Sequence, residues 1–164
     1  MIETAIFFYN HLQSSAAGLV WGAHQVHRDR WLMTPPVQLG TWSAARHLFH
    51  MAFYEETIAL PSMRQWLGDP LPNLEGLSEE AAWDEAAGKD VQVLTQRFHT
   101  VRQAQVELTL QLSESAWDHF MQTVWDPFPL RWVVSKTLQH TAEHTSDILR
   151  LALFWDAFIE RKAT

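Results

Sequence analysis

The sequence predicts an all-α fold, a four-helix bundle with a long crossover between its second and third helices. Three observations predict it. Four long segments carry apolar residues at steps of three and four, the spacing that lines one face of a helix. Prolines mark the breaks between those segments, and strand-type alternation is scarce. The 164 residues are also one domain's length, enough to bury a full core, so residues 1–164 are expected to form a single helical-bundle domain.

The first helix is expected from about Ile2 to Arg28, with Ile2, Ile6, Tyr9, Leu12, Ala16, Leu19 and Val20 at helical spacing. It stops before Pro35-Pro36. Thr41 or Ser43 can cap the second helix, which is expected to reach Leu60 and end at Pro61, because proline lacks the amide donor and clashes with the preceding turn. The crossover follows, with Pro70, Pro72, Gly76 and Gly88. Within it Ser78-Glu79-Glu80 can start a short helix, its acids at the positive end of the dipole.

Asp90 caps the third helix, whose Val91, Leu94, Phe98, Val101, Gln105, Leu108 and Leu112 form a bundle seam. Gln105 is the polar member, read as a hydrogen-bonding or register device. A short extended piece fits between Trp117 and Pro129. The last helix starts near Pro129, a residue tolerated in a first turn, and runs to about Glu160. Helices of roughly 20–30 residues are roughly 30–45 Å long, which suits a bundle.

Composition narrows the function. There is no cysteine, which excludes disulfides, thiolate metal sites and a cysteine nucleophile, so a metal must use histidine nitrogen or carboxylate oxygen. Formal charge is -7 with scattered Lys and Arg, which argues against nucleic acid or an anionic membrane as partner. No apolar run approaches the roughly 18 residues that span a bilayer. Met1-Ile2-Glu3-Thr4 lacks the basic start and apolar core of a signal peptide, so a soluble cytoplasmic protein is expected. The nine Trp and nine Phe read as large core anchors, with room for a subunit interface.

The chemistry is concentrated in His140-Thr141-Ala142-Glu143-His144. Residues four apart lie about 40° apart around a helix, with Cβ atoms about 5–6 Å from each other, so both imidazoles can reach one metal ion. Val133, Thr137, Asp147, Leu151, Trp155 and Phe158 share that face, which directs the histidines to the core. Two ligands do not close a site, and the second helix offers a third: Ser43, His47, His50, Tyr54 and Thr57 form a polar stripe on an otherwise apolar helix. Periodicity does not decide between His47 and His50. His140-x-x-Glu143-His144 also matches the inverted zinc-protease motif. The only downstream glutamate, Glu160, lies the length of a bundle side away, which argues against a protease.

Taken together, Trp42-Ser43, Leu48-x-His50-Met51-Ala52-x-x-Glu55 and His140-x-x-x-His144 followed by Asp147-Ile148 and Arg150 resemble the second- and last-helix signatures of the DinB/YfiT-like family of metal-binding four-helix bundles, unrelated to the DNA polymerase of the same name. The resemblance implies a divalent ion held by His50, His140 and His144, with water or ligand in the remaining positions. It selects His50 over His47, and it implies a homodimer. Asp147 either orients an imidazole from behind or enters a salt bridge, Glu55 is a supporting residue, a base or solvent-facing, and Glu143 reads as a solvated edge residue; with His47, these are the candidates for a supporting shell.

Three neutral histidines suit zinc or nickel with an open position, and such an ion acidifies a bound thiol or water. The resemblance favours a low-molecular-weight thiol attacking a small-molecule electrophile, as in S-transferases and isomerases. Arg46, Arg131, Lys136 and Arg150 are the cations that an acidic thiol would need. Hydrolysis of an amide or ester, with Glu55, Glu143 or Asp147 as base, is the second alternative, and a non-catalytic metal-binding bundle is the third. Metal affinity is expected to drop as pH falls below about 6, because imidazolium cannot ligate.

Overall fold

The computed structural model describes residues 3–86 and 90–160, and the side chain of Glu160 is not among what it describes. The expected helix start at Ile2 and the crossover's Gly88 lie outside those residues. The described chain forms α1 (Glu3–Gln25), α2 (Ala44–Tyr54), α3 (Leu60–Arg64), α4 (Glu79–Ala86), α5 (Val91–Thr109), a hairpin of β1 (Phe120–Gln122) and β2 (Pro127–Pro129), and α6 (Leu130–Glu160). One π-helical turn, Glu55–Ala59, joins α2 to α3 without a break, so the two make one long rod. Five helices pack as a bundle: α1 lies against α5 and α6, and α2 against the same two, which sets α1 and α2 at opposite corners. The fifth, α4, belongs to the crossover and rests on α2.

Caps and breaks act locally, and most form as expected. Ser43 Oγ accepts the Arg46 amide at 3.2 Å, and Asp90 Oδ1 accepts the Val93 amide at 2.9 Å. Ser78 Oγ likewise accepts the Ala81 amide at the start of α4. The extended piece after Trp117 is the hairpin, in which Phe120 pairs with Pro129, Met121 with Phe128 and Gln122 with Pro127. Ser43→Ala should lower stability by about 1 kcal/mol, a typical N-cap loss, read as a shifted urea midpoint at unchanged slope.

Pro61 does not end the second helix. The Leu60 amide bonds back to the Glu55 carbonyl, five residues away, and this widened turn relieves the crowding that a proline ring imposes on the preceding turn. The buried face of α1 is also rotated from expectation. It centres on Ala5, Phe8, Leu12, Ala16, Leu19 and Ala23, with Ile6 and Tyr9 at its edges, because small alanines let the helix approach α5 and α6.

The core has two apolar clusters. One gathers Leu48, Phe49, Leu94, Phe98, Ile148 and Trp155; the other gathers Phe8, Leu12, Met63, Val101, Leu130 and Val133 around Trp117, whose ring stacks on Phe8 at 4.8 Å. A polar layer interrupts α5 between Phe98 and Val106. Arg102, 2% exposed, donates to the carboxylate of fully buried Glu55, to the Leu12 carbonyl and to the Ser15 and Thr141 hydroxyls. Gln105 Nε2 donates to Glu55 at 2.8 Å, the hydrogen-bonding part foreseen for it. No helix among the described residues is long and apolar enough to cross a membrane.

Candidate metal centre

The site forms where α2 and α6 face each other under α4. The inward stripe of α6 has Val133, Thr137, Leu151 and Trp155 buried, with His140, His144, Asp147 and Phe158 half-buried among them. On α2, Ser43, His47 and Tyr54 are buried and His50 is half-buried. His140 Nε2 lies 3.1 Å from His50 Nε2 and 3.1 Å from His144 Nε2. His47 approaches from the other side, with its Nδ1 2.8 Å from His144 Nδ1. The geometry thus brings both α2 histidines to the α6 pair, on different atoms. Ligand atoms of His50, His140 and His144 lie within 4.8 Å of one another, and so do those of a second, overlapping group, His47, His144 and Asp147. His11, His24, His27, His99 and His119 are exposed.

The surroundings decide the protonation of these rings. Burial, with the neighbouring imidazoles, pushes His47 and His140 down to about 3. Burial and His50 push His144 down to about 4, against the opposing pull of Asp147, Glu143 and Glu79. These three rings therefore keep free lone pairs well below the pH 6 expected of ordinary imidazoles. In the unfolded chain the same histidines take up protons near pH 6.5, while the folded metal-free protein excludes them until about pH 3–4. Stability carried by these groups is thus present above pH 6.5 and lost as pH falls through that window. The urea midpoint of metal-free protein should drop between pH 6.5 and 4.5, and His47→Gln/His140→Gln should drop less. Equal drops in both proteins would show that these rings titrate normally.

Of the carboxylates singled out from sequence, Asp147 stands half-buried beside His144, with Arg150 at 3.5 Å. Glu55 is engaged by Arg102 and Gln105; burial pushes its carboxyl up, against the pull of the guanidinium. Glu143 is exposed and accepts from Gln139 at 2.9 Å. The carboxylate that does touch a ring is one that sequence reasoning passed over: Glu79 Oε2 lies 2.8 Å from His50 Nδ1, and Glu79 Oε1 lies 3.0 Å from Arg46 Nη2. Only its place in the first turn of α4 marked Glu79 in the sequence. A contact between the crossover and α2 leaves no periodic signal.

Two aromatic rings enclose the cluster. Trp42 stacks on His144 at 5.9 Å and 9° between planes, and lies 5.0 Å from His50. Tyr54 meets His140 edge-on at 4.4 Å, and burial pushes its hydroxyl up to about 12. A cavity of about 310 Å³ opens beside His47 and His144, lined also by Trp42, Asp147 and Arg150. Among the cations foreseen, Arg150 lines this cavity and Lys136 is close enough to depress His140. Arg46 is buried against Glu79, whereas Arg131 pairs with Asp118 instead.

No curated protein matches this chain by sequence. Among solved structures, a point mutant of the mycothiol-dependent maleylpyruvate isomerase shares the fold with a TM-score of 0.70 at 13% identity, covering 88% of this chain. The chain spans 60% of that protein's length. A family model described as the DinB superfamily matches residues 20–148. With most of its length accounted for by that model and its helices arranged as in this fold, the chain belongs to the DinB superfamily.

Proposed function

We propose that this chain is a divalent-metal-dependent enzyme in which His50, His140 and His144 hold zinc or nickel, and in which a low-molecular-weight thiol is activated for S-transfer or isomerisation. One observation carries the proposal: the contact of His140 Nε2 with both His50 Nε2 and His144 Nε2 at 3.1 Å. Nitrogens about 2.0–2.1 Å from a metal stand about 2.9 Å apart on an octahedral edge and about 3.4 Å apart on a tetrahedral one, so these contacts fit a shared ion. They fit a metal-free network poorly. Glu79 draws the proton of His50 to Nδ1, which leaves Nε2 as a lone pair facing His140. Then either one N–H on His140 serves two acceptors, or His144 donates to His140 and the lone pairs of His140 and His50 face each other.

Bound there, the ion supplies Lewis acidity that favours the ionised form of a thiol near neutral pH. The chain's own residues do the rest. Glu79 fixes the tautomer of His50, and His47 faces the outer nitrogen of His144. Trp42 walls the approach, and Arg150 and Lys136 supply positive charge for an acidic thiol. The thiol reading also draws on the isomerase of the same fold, which is named for its dependence on mycothiol. Hydrolysis has fewer candidates for a base, because Glu55 is occupied inside the core and Glu143 faces solvent.

Cobalt substitution followed by titration with small thiols tests the proposal. A sulfur-to-cobalt charge-transfer band is expected, and no band with any thiol would overturn the thiol chemistry. Glu79→Gln should weaken zinc affinity about 10- to 100-fold, the usual loss when a ligand's supporting carboxylate is removed. Unchanged affinity by competition with a chromophoric chelator would remove Glu79 from the site.

A further inference from the structure

A second cavity, of about 250 Å³, adjoins the histidines' own and is lined by Thr34, Thr41, Trp42, Arg46, Glu80 and Trp83. Thr41 and Trp42 line both cavities. Arg46 is 5% exposed, and its guanidinium is fixed over three rings, 5.1 Å from Trp42, 5.2 Å from Trp83 and 5.5 Å from Phe49. Nη2 carries both acidic contacts, Glu79 at 3.0 Å and Glu80 at 2.6 Å, while buried Nη1 has no hydrogen-bond partner. A buried guanidinium donor without an acceptor is costly, so the arrangement calls for one.

The two carboxylates on Arg46 are not alike. Glu79 is bound on its far side to His50, whereas the Glu80 side chain is 77% exposed and held only at its tip. We propose that this cavity is the subsite for a carboxylate of the thiol ligand, which takes the place of Glu80 on Arg46 while its sulfur reaches the histidine cluster. This rests on the thiol reading above. The shared wall of Trp42 and Thr41 puts the two ends of one small molecule on adjoining surfaces. Charge favours the exchange: Glu79 and Glu80 outweigh Arg46 by one negative charge, and a divalent ion at the histidines reverses that sign.

The test uses cobalt-loaded protein at low ionic strength with 3-mercaptopropionate and 2-mercaptoethanol, which differ in the carboxylate. In the wild type the carboxylate thiol should bind about tenfold more tightly, as a charge-assisted contact implies. Glu80→Ala, at an exposed position, should widen the ratio by removing the competitor, and Arg46→Lys should narrow it. Equal affinities for the two thiols in both the wild type and Glu80→Ala would overturn the subsite while leaving thiol activation intact. If neither thiol gives a band, the proposed chemistry falls, and tryptophan quenching by propionate decides the subsite alone. Stronger quenching in Glu80→Ala than in the wild type supports it, and no quenching in either overturns it.

Discussion

Replacing both His140 and His144 with alanine should remove stoichiometric zinc from the protein while leaving its helix content almost unchanged. The two rings stand on one face of α6 and supply two of the three nitrogens that converge beside α2. Without them His50 and His47 both lose the α6 nitrogens that they meet, which leaves too weak a site to hold zinc at micromolar protein. The helix survives because alanine is the best helix former and the neighbouring anchors, Val133, Thr137, Ile148 and Leu151, are buried independently of the rings. Metal-to-protein ratios after dialysis, beside far-ultraviolet circular dichroism, give the answer. A one-to-one ratio in the double variant would refute ligation by these histidines. The metal-free variant should also be less acid-sensitive than the parent, because two groups that resist protonation in the fold are gone.

Arg102→Met should cost about 3–5 kcal/mol, the usual penalty for stranding one member of a buried ion pair. Glu55 is fully buried, and its partners are Arg102 and Gln105, so the variant leaves a carboxylate with a single amide donor. The Ser15 and Thr141 hydroxyls lose their guanidinium donor as well, and the Leu12 carbonyl loses one of its two side-chain donors. For a chain of this length the melting midpoint should fall by about 6–20 °C. Adding Glu55→Leu should restore most of that loss, since removing both charges together avoids the stranded one. Equal costs for the single and double variants would mean that the loss is one of packing, not charge.

What was legible in the sequence was what depends on near neighbours. Ser43 and Asp90 cap because their side chains reach amides three residues on, and the α5 seam and the start of α6 follow from spacing and one proline. The meeting of α2 and α6 at histidines was legible from two polar positions on apolar faces. Arg102 was not, although it falls four residues after Phe98 and three before Gln105, on the seam itself. Hydropathy gives no reason to bury a guanidinium, and only the carboxylate of another helix supplies one. Glu79 was hidden for the same reason: the crossover has no period that ties it to His50. The choice between His47 and His50 was beyond periodicity because both face α6, each meeting a different nitrogen.

The π-helical turn at Glu55–Ala59 has a consequence for how this chain can change over generations. A turn that holds one residue more than its neighbours is a natural place for a single-codon gain or loss, since excising a residue there would close it to an ordinary α-helical turn and leave the downstream helix facing as before, with His47 and His50 unmoved. Kindred chains with a plain α-helical turn at this point should therefore superpose on Ala44–Tyr54 and require a one-residue gap before Pro61.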